Sequence, residues 1–290
     1  MERAYLISCE STADLPLPLM QELGVPCLFH ERAGEERRFD MASGRETRAG
    51  DGGAFFPLRL EQYLEFFEKL SGDYDLIHIC PSAALSPSFH VAQNAADILR
   101  QEAPGTSIQV VDSRAVSVGY GMLVWEAAGL RGSVPTPETA AGILRELRGQ
   151  LRHLGFTPQV SELVRNRFLD RPRRIDAWLE PFALLRLNEA GELVSFARSR
   201  TEEEAVDHMI FAMADSCLTA RGRQEGCWIA HADNAAGAQR LARAVEECFP
   251  QWRGMLRVFA MGQTGQSLCG EGLVTVSFRA EAEPGDRRIK

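Results

Sequence analysis

Residues 79–121 contain ICPSAALSPSFHVAQNAADIL (79–99) and, after a connector, IQVVDSRAVSVGYG (108–121). Each half begins with a short apolar run, passes a loop rich in serine or glycine, and enters a helix-forming stretch. Strand, loop and helix repeated in this way predict a parallel sheet with helices packed on it. Ser82, Ser86 and Ser88 crowd the point where the first strand ends and its helix begins. Free backbone N–H groups and the positive end of the helix dipole favour an anionic ligand group there. The same hydroxyls are also ordinary helix caps. The local sequence supports both readings.

Upstream, AYLIS (4–8) is a first strand, and CESTADLPLPLMQEL (9–23) is a loop followed by a short helix opened by Pro16 and Pro18. VPCLFH (25–30) is a second strand, and residues 31–53 form a polar, glycine-rich excursion with little apolar surface to anchor it. Leu60, Leu64 and Phe67 share one face of a helix over 58–70, and DLIHI (75–79) is the next buried strand. An apolar helix covers 116–130. Thr136-Pro137-Glu138 then opens a helix running to about His153, with Thr as N-cap and Pro in its first turn.

Downstream, an irregular basic segment (156–180) precedes FALLRL (182–187), the turn NEAG, and ELVSFARS (192–199), which together read as a hairpin. Thr201 and Glu204 make a capping box for a long helix. CWIAHA (227–232), a helix over 234–248, MLRVFA (255–260), a glycine-rich loop (261–272) and LVTVSF (273–278) complete the chain. The expected architecture is α/β: two α/β domains, 1–155 and 156–290, with mainly parallel sheets flanked by helices.

Composition narrows the function. The 290 residues carry a formal charge of -8, against the basic footprint of a nucleic-acid-binding surface; RNRFLDRPRR (165–174) is a local exception. Seven cysteines are scattered without a C-x-x-C, so neither a disulfide framework nor a zinc motif is read, and a reducing cytoplasm fits. The first apolar run is too short for a signal peptide, and no stretch approaches a membrane span. The six histidines share no metal-ligand spacing, and His78 and His231 read as core or strand-end residues. Glu10, Asp14 and Asp112 could form a carboxylate set for acid/base work or Mg²⁺, but capping and loop-tying roles are commoner for such positions. A Ser-His hydrolase centred on Ser86 lacks a nucleophile-elbow G-x-S-x-G. Gly119-x-Gly121 lacks the remainder of a dinucleotide fingerprint.

The ordered motifs resemble the DegV family, the fatty-acid-binding proteins that serve bacterial fatty-acid kinase. ESTADLP (10–16) resembles the family's D-S-T-A-D-L-P, with Glu10 for the Asp. PSAALSPSFHVAQNAA (81–96), VVDSRAVSVGYGMLVWEAA (110–128), FLDRPRRI (168–175), FALLRLNEAGELVSFARSRT (182–201) and GQSLCGEGLVTVSF (265–278) resemble further blocks in the same order. The resemblance implies two domains enclosing an acyl chain in an apolar tunnel. It implies no catalysis by the chain, no cofactor and no metal, a long-chain fatty acid as ligand, and presentation of the acyl group to a separate ATP-binding kinase subunit.

Carried over position by position, the carboxylate-binding serine falls on Ser86, with Ser82 and Ser88 beside it. The family's threonine falls on Ala54 and its histidine on Leu268, so two polar anchors are apolar here. Glu271 replaces a family proline and, if inward, adds negative charge near the head group. Arg174 and Arg200 match basic positions and are candidate kinase contacts. Two other functions remain in view: a regulatory or interaction protein that has lost acyl binding, and a Ser86-based hydrolase.

Overall fold

The computed structural model describes residues 4–30, 57–103, 105–169, 179–217 and 226–280. Four strands form the first sheet: β1 (Tyr5–Glu10), β2 (Cys27–Leu28), β3 (Asp75–Cys80) and β4 (Ile108–Asp112), in spatial order β2-β1-β3-β4. Every pairing in it is parallel. Its strands are short and apolar because both faces are covered. Helix α1 (Leu17–Glu22) links β1 to β2. Helices α2 (Leu60–Ser71) and α3 (Ser88–Glu102) cover one face, where Tyr63, Phe67, Leu76, Ala92 and Ala96 form a core. The other face takes α4 (Ser117–Leu130) and α5 (Pro137–Leu147).

The second sheet has six strands: β5 (Leu151–Thr157), β6 (Phe182–Leu187), β7 (Leu193–Ser199), β8 (Cys227–His231), β9 (Arg257–Ala260) and β10 (Val274–Arg279). Their order is β7-β6-β5-β10-β8-β9. Only β8 and β9 pair in parallel; the other pairings are antiparallel. The α/β layering stands as expected, but the expectation of mainly parallel sheets holds for the first sheet alone. The β6–β7 hairpin and the C-terminal β10, inserted between β5 and β8, reverse the strand direction. Helices α7 (Glu202–Cys217) and α8 (Ala235–Cys248) cover its outer face, while α6 (Ser161–Arg165) and α9 (Gln263–Cys269) lie together at one end.

Two sequence expectations change at β5. The helix expected to reach His153 stops at Leu147, and after a short 3₁₀ turn Leu151–Thr157 forms a strand bonded to both β6 and β10. The expected division after residue 155 therefore falls inside β5, whose partners all belong to the second sheet. Residues 31–53, read as an excursion, lie outside the described residues.

Helix α4 joins the two halves. It is mostly apolar with Glu126, paired with Arg279, as its one charged residue, as suits a helix buried on most sides, and it packs on β1 as well as on β5, β8 and β10. Ile7, Ile79 and Val111 of the first sheet share one continuous core with Val124 of α4 and with Trp228 and Ala230 of the second. Close approach explains the G-Y-G within α4. A Cβ at Gly121 would lie 2.6 Å from the Ala13 carbonyl, and one at Gly119 2.9 Å from both His153 Nδ1 and Ser277 Oγ. Among the described residues no helix is long and apolar enough to cross a membrane.

Candidate ligand-binding site

In a parallel sheet the carboxyl ends of the strands leave a crevice where ligands bind. Here β1, β3 and β4 end at Glu10, Cys80 and Asp112, and the loops leaving them meet the second sheet around a cavity of about 400 Å³. That volume lies in the range of roughly 300–1,000 Å³ usual for small-molecule sites. Leu85, Leu163, Phe168, Leu185, Leu193 and Leu273 give it a largely apolar wall. Its polar lining comes from Thr12, Asp14, His30, Ser86, Ser117 and His153, with Asn166, Thr264 and Thr275. No lysine or arginine lines it among the described residues.

The three serines of the 82–88 loop separate in role. Ser86 lines the cavity. Its hydroxyl accepts the N–H of Ser88, the first residue of α3, at 3.2 Å and donates to Ser88 Oγ at 2.9 Å. Pro87 is the N-cap residue of α3 and supplies no side-chain cap, so Ser86, one position earlier, serves the helix only by accepting the Ser88 N–H. Ser82 and Ser88 do not line the cavity. Ser82 is fully buried and donates to the Gly191 carbonyl at 2.8 Å. Ser88 donates to Glu10 Oε2 at 2.9 Å. Both were expected at the ligand carboxylate; in this structure each hydroxyl donates to a buried protein acceptor.

Leu268 does line the cavity, and its carbonyl accepts from Asn166 Nδ2 at 2.8 Å. Ala54 and Arg174 lie outside the described residues. Arg200 is exposed between β7 and α7, where its backbone N–H is bonded by Glu204 Oε2 at 2.9 Å. Glu271 is exposed and absent from the cavity wall, so it adds no charge there.

Two polar atoms escaped sequence reasoning. Thr12 Oγ1 and Thr275 Oγ1 are buried without a hydrogen-bond partner among the described residues, and both residues line the cavity. A buried hydroxyl left unbonded is costly, so such a pair in a cavity wall suits a ligand acceptor or donor. Strand alternation offered a signal for Thr275: Val274, Val276 and Phe278 pack into the outer core, leaving Thr275 and Ser277 to the other face.

The ionisable lining is tied down. Asp14 sits in the left-handed region (φ 51°), accepting from Ser117 Oγ at 2.6 Å and from the Gly262 N–H at 2.8 Å, and so stitches the N-terminal loop to α4 and to the start of α9. Asp112 accepts the N–H groups of Ala83 and Arg114, both at 3.0 Å, which fixes the serine loop against β4. Burial pushes the His153 imidazole down to about 4, so it is neutral near pH 7; its Nδ1 lies 2.6 Å from Ser277 Oγ. Burial also lowers His30, against the opposing pull of Glu10.

Glu10 itself is fully buried. Tyr63 donates to its Oε1 at 2.7 Å, while His30 Nε2 stands 3.6 Å from Oε2 and His78 Nε2 3.8 Å from Oε1. Burial pushes this carboxyl up, but the imidazoles of His78 and His30 and the Tyr63 hydroxyl outweigh it and hold the group below the usual carboxylate range.

A family model for the uncharacterised DegV proteins matches residues 56–281. The chain belongs to the DegV family. A DegV domain-containing protein of Clostridium perfringens is 24% identical over 260 residues, covering 86% of this chain and 88% of its own length. One from Lactococcus lactis is 26% identical over 164 residues, 56% of this chain and 57% of its own. Among solved structures, the fatty-acid-binding DegV family protein from Thermus thermophilus superposes with a TM-score of 0.76 at 22% identity, covering 96% of this chain and 99% of that one. The Streptococcus pneumoniae fatty acid kinase B3 protein loaded with linoleic acid gives 0.75 at 16% identity, over 96% and 100% of the two chains. Bacillus subtilis DegV, a fatty acid binding protein, gives 0.76 at 17%, over 97% and 100%. These likenesses establish the DegV fold for this chain.

Proposed function

We propose that this DegV protein binds a long-chain fatty acid or related acyl lipid in the cavity between its sheets. In this reading it presents the head group to a separate ATP-binding fatty-acid kinase subunit in the cytoplasm and catalyses no phosphoryl transfer itself. The observation that carries the reading is the apolar cavity of about 400 Å³ with buried, unbonded hydroxyls in its wall. An acyl chain takes up the leucine and phenylalanine surface, and its head group pairs with Ser86, Thr12 or Thr275. The fatty-acid-binding relatives of the same fold support the ligand class, and the pneumococcal kinase B3 protein supports the partner. Arg200, exposed at the start of α7, and Arg174 are proposed partner contacts.

Native mass spectrometry of the protein from a heterologous host, after desalting, tests this directly. The expected result is a bound mass of acyl size, extractable as a free fatty acid, and ATP-dependent acyl phosphate formation once a bacterial fatty-acid kinase subunit is added. An empty protein that also fails to take up added oleate ends the reading. Leu268 in the cavity wall favours one alternative, a regulatory DegV protein without acyl cargo, and that outcome would select it. A hydrolase has less support, because Ser86 is hydrogen-bonded to Ser88 and to no imidazole among the described residues.

A further inference from the structure

Residues alternate faces along a strand, so Ser8 and Glu10 share one face of β1, and His78 and Cys80 share one face of β3. The parallel register sets Ser8 opposite His78, which brings Glu10 and Cys80 together at the next same-face position. All three side chains, Glu10, His78 and Cys80, are fully buried. Their carboxylate oxygen, imidazole nitrogen and sulfur lie within 4.8 Å of one another.

We propose that Glu10, His78 and Cys80 bind one divalent transition-metal ion of the zinc class. The first reason is His78. Its Nδ1 is engaged by Ser8 Oγ at 2.9 Å, while Nε2, buried and without a hydrogen-bond partner, faces Glu10 Oε1 across 3.8 Å. That gap is too long for a hydrogen bond and suits two ligands of one metal centre. A ligating imidazole characteristically has its other nitrogen fixed in this way by a neighbouring hydrogen-bonding group.

The second reason is charge. Among the described residues the basic groups beside Glu10 are the imidazoles of His30, at 3.6 Å, and His78, at 3.8 Å, with no lysine or arginine. A metal ion would supply the permanent positive charge that a buried carboxylate calls for. The third is donor chemistry: one oxygen, one nitrogen and one sulfur donor match a borderline-soft, four-coordinate ion, with the fourth position left to water. Tyr63 and Ser88 each occupy one site on the two carboxylate oxygens and leave room for a further bond. Binding releases the Cys80 thiol proton to solvent, so uptake tightens as pH rises. Burial and the Glu10 charge push that thiol up when no cation is present, the reverse of what a metal centre does.

The test is titration of chelator-treated, folded full-length protein with Co²⁺. The expected result is one equivalent bound with thiolate-to-cobalt charge-transfer absorption, displaced by Zn²⁺. Cys80→Ser should abolish that absorption, and His78→Gln should weaken uptake by more than about tenfold. Ser8→Ala, which removes only the partner of Nδ1, should weaken it by about 10- to 100-fold. Cys248→Ser, at an exposed cysteine, should leave it unchanged. Circular dichroism verifies each fold; should Cys80→Ser not fold, the wild-type absorption and the Ser8→Ala shift decide. The proposal is overturned if folded wild-type protein takes up no cobalt, if uptake is the same in the His78 and Ser8 variants, or if the signal follows Cys248. Acyl content is read separately by native mass spectrometry, so the two proposals stand or fall independently.

Discussion

Ser82 donates its hydroxyl hydrogen to the Gly191 carbonyl over 2.8 Å, joining a loop of the first sheet to the β6–β7 hairpin of the second across 109 residues of sequence. The contact is tight on both sides. Gly191 has φ 81°, and a Cβ there would lie 2.3 Å from Ser82 Oγ. Ser82→Ala leaves a buried carbonyl unsatisfied and should lower stability by about 1–3 kcal/mol, read as a shift of the urea midpoint. Acyl affinity should move far less, because Ser82 does not face the cavity. A large affinity loss at unchanged stability would return Ser82 to the head-group site.

Gly121→Ala should destabilise although it improves helix propensity. Propensity favours alanine by about 1 kcal/mol, but the new methyl would stand 2.6 Å from the Ala13 carbonyl and 2.8 Å from Leu15 Cδ2. Displacing backbone in a packed core costs about 1–3 kcal/mol, so the net effect should be a lower melting temperature. Gly129→Ala, in the same helix with open space around it, is the internal control and should be neutral or stabilising.

Ser86→Ala should weaken fatty-acid binding about tenfold, the loss of one hydrogen bond to a charged group. Leu268→His should strengthen it by restoring a donor to the cavity wall. Isothermal titration with oleate measures both. Flat affinity in the two variants would move the head group elsewhere, with Thr12→Val and Thr275→Val the next substitutions to make.

His153 gives the fold a specific acid sensitivity. Burial lowers its imidazole from the ordinary 6.5 to about 4, so below pH 6.5 the unfolded chain takes up a proton that the folded chain refuses. Stability is therefore complete above pH 6.5 and falls as the pH drops toward 4, by up to about 3 kcal/mol for this one group. His153→Gln should flatten that part of the urea-midpoint profile. Equal slopes in wild type and variant would show that His153 is not the group responsible.

The strands of the first sheet and the helices α2, α3 and α4 were legible because each is a single apolar run or periodic face closed by a turn signal. The strand β5 was not: LRHLGFT carries a charge and a histidine, and it directly follows a helix whose polar last turn disguises the boundary. Helix α9 was hidden by the glycines of GQTGQSLC, tolerated where Gly265 packs close to Asp14. Strand direction in the second sheet depends on where β10 inserts, and no local signal carries that. At the site, Ser86 was visible from its loop. Thr12, His30 and Thr275 acquire their positions only when three distant segments converge. The pairing of Glu10 with His78 and Cys80 was likewise invisible, since β3 reads simply as an apolar strand until β1 lies beside it.

Helix α4 has a mechanical consequence. Fourteen residues long and mostly apolar, it is gripped by both sheets at once, with Trp125 against Trp228 and Arg257 stacked over both rings. Prising the sheets apart would wet the core-facing side of that helix, at a large hydrophobic cost. The protein is therefore built as a vault with a fixed keystone rather than as a hinged clamshell. An acyl chain of the proposed kind would enter between the loops that line the cavity, with the α4 seam left in place.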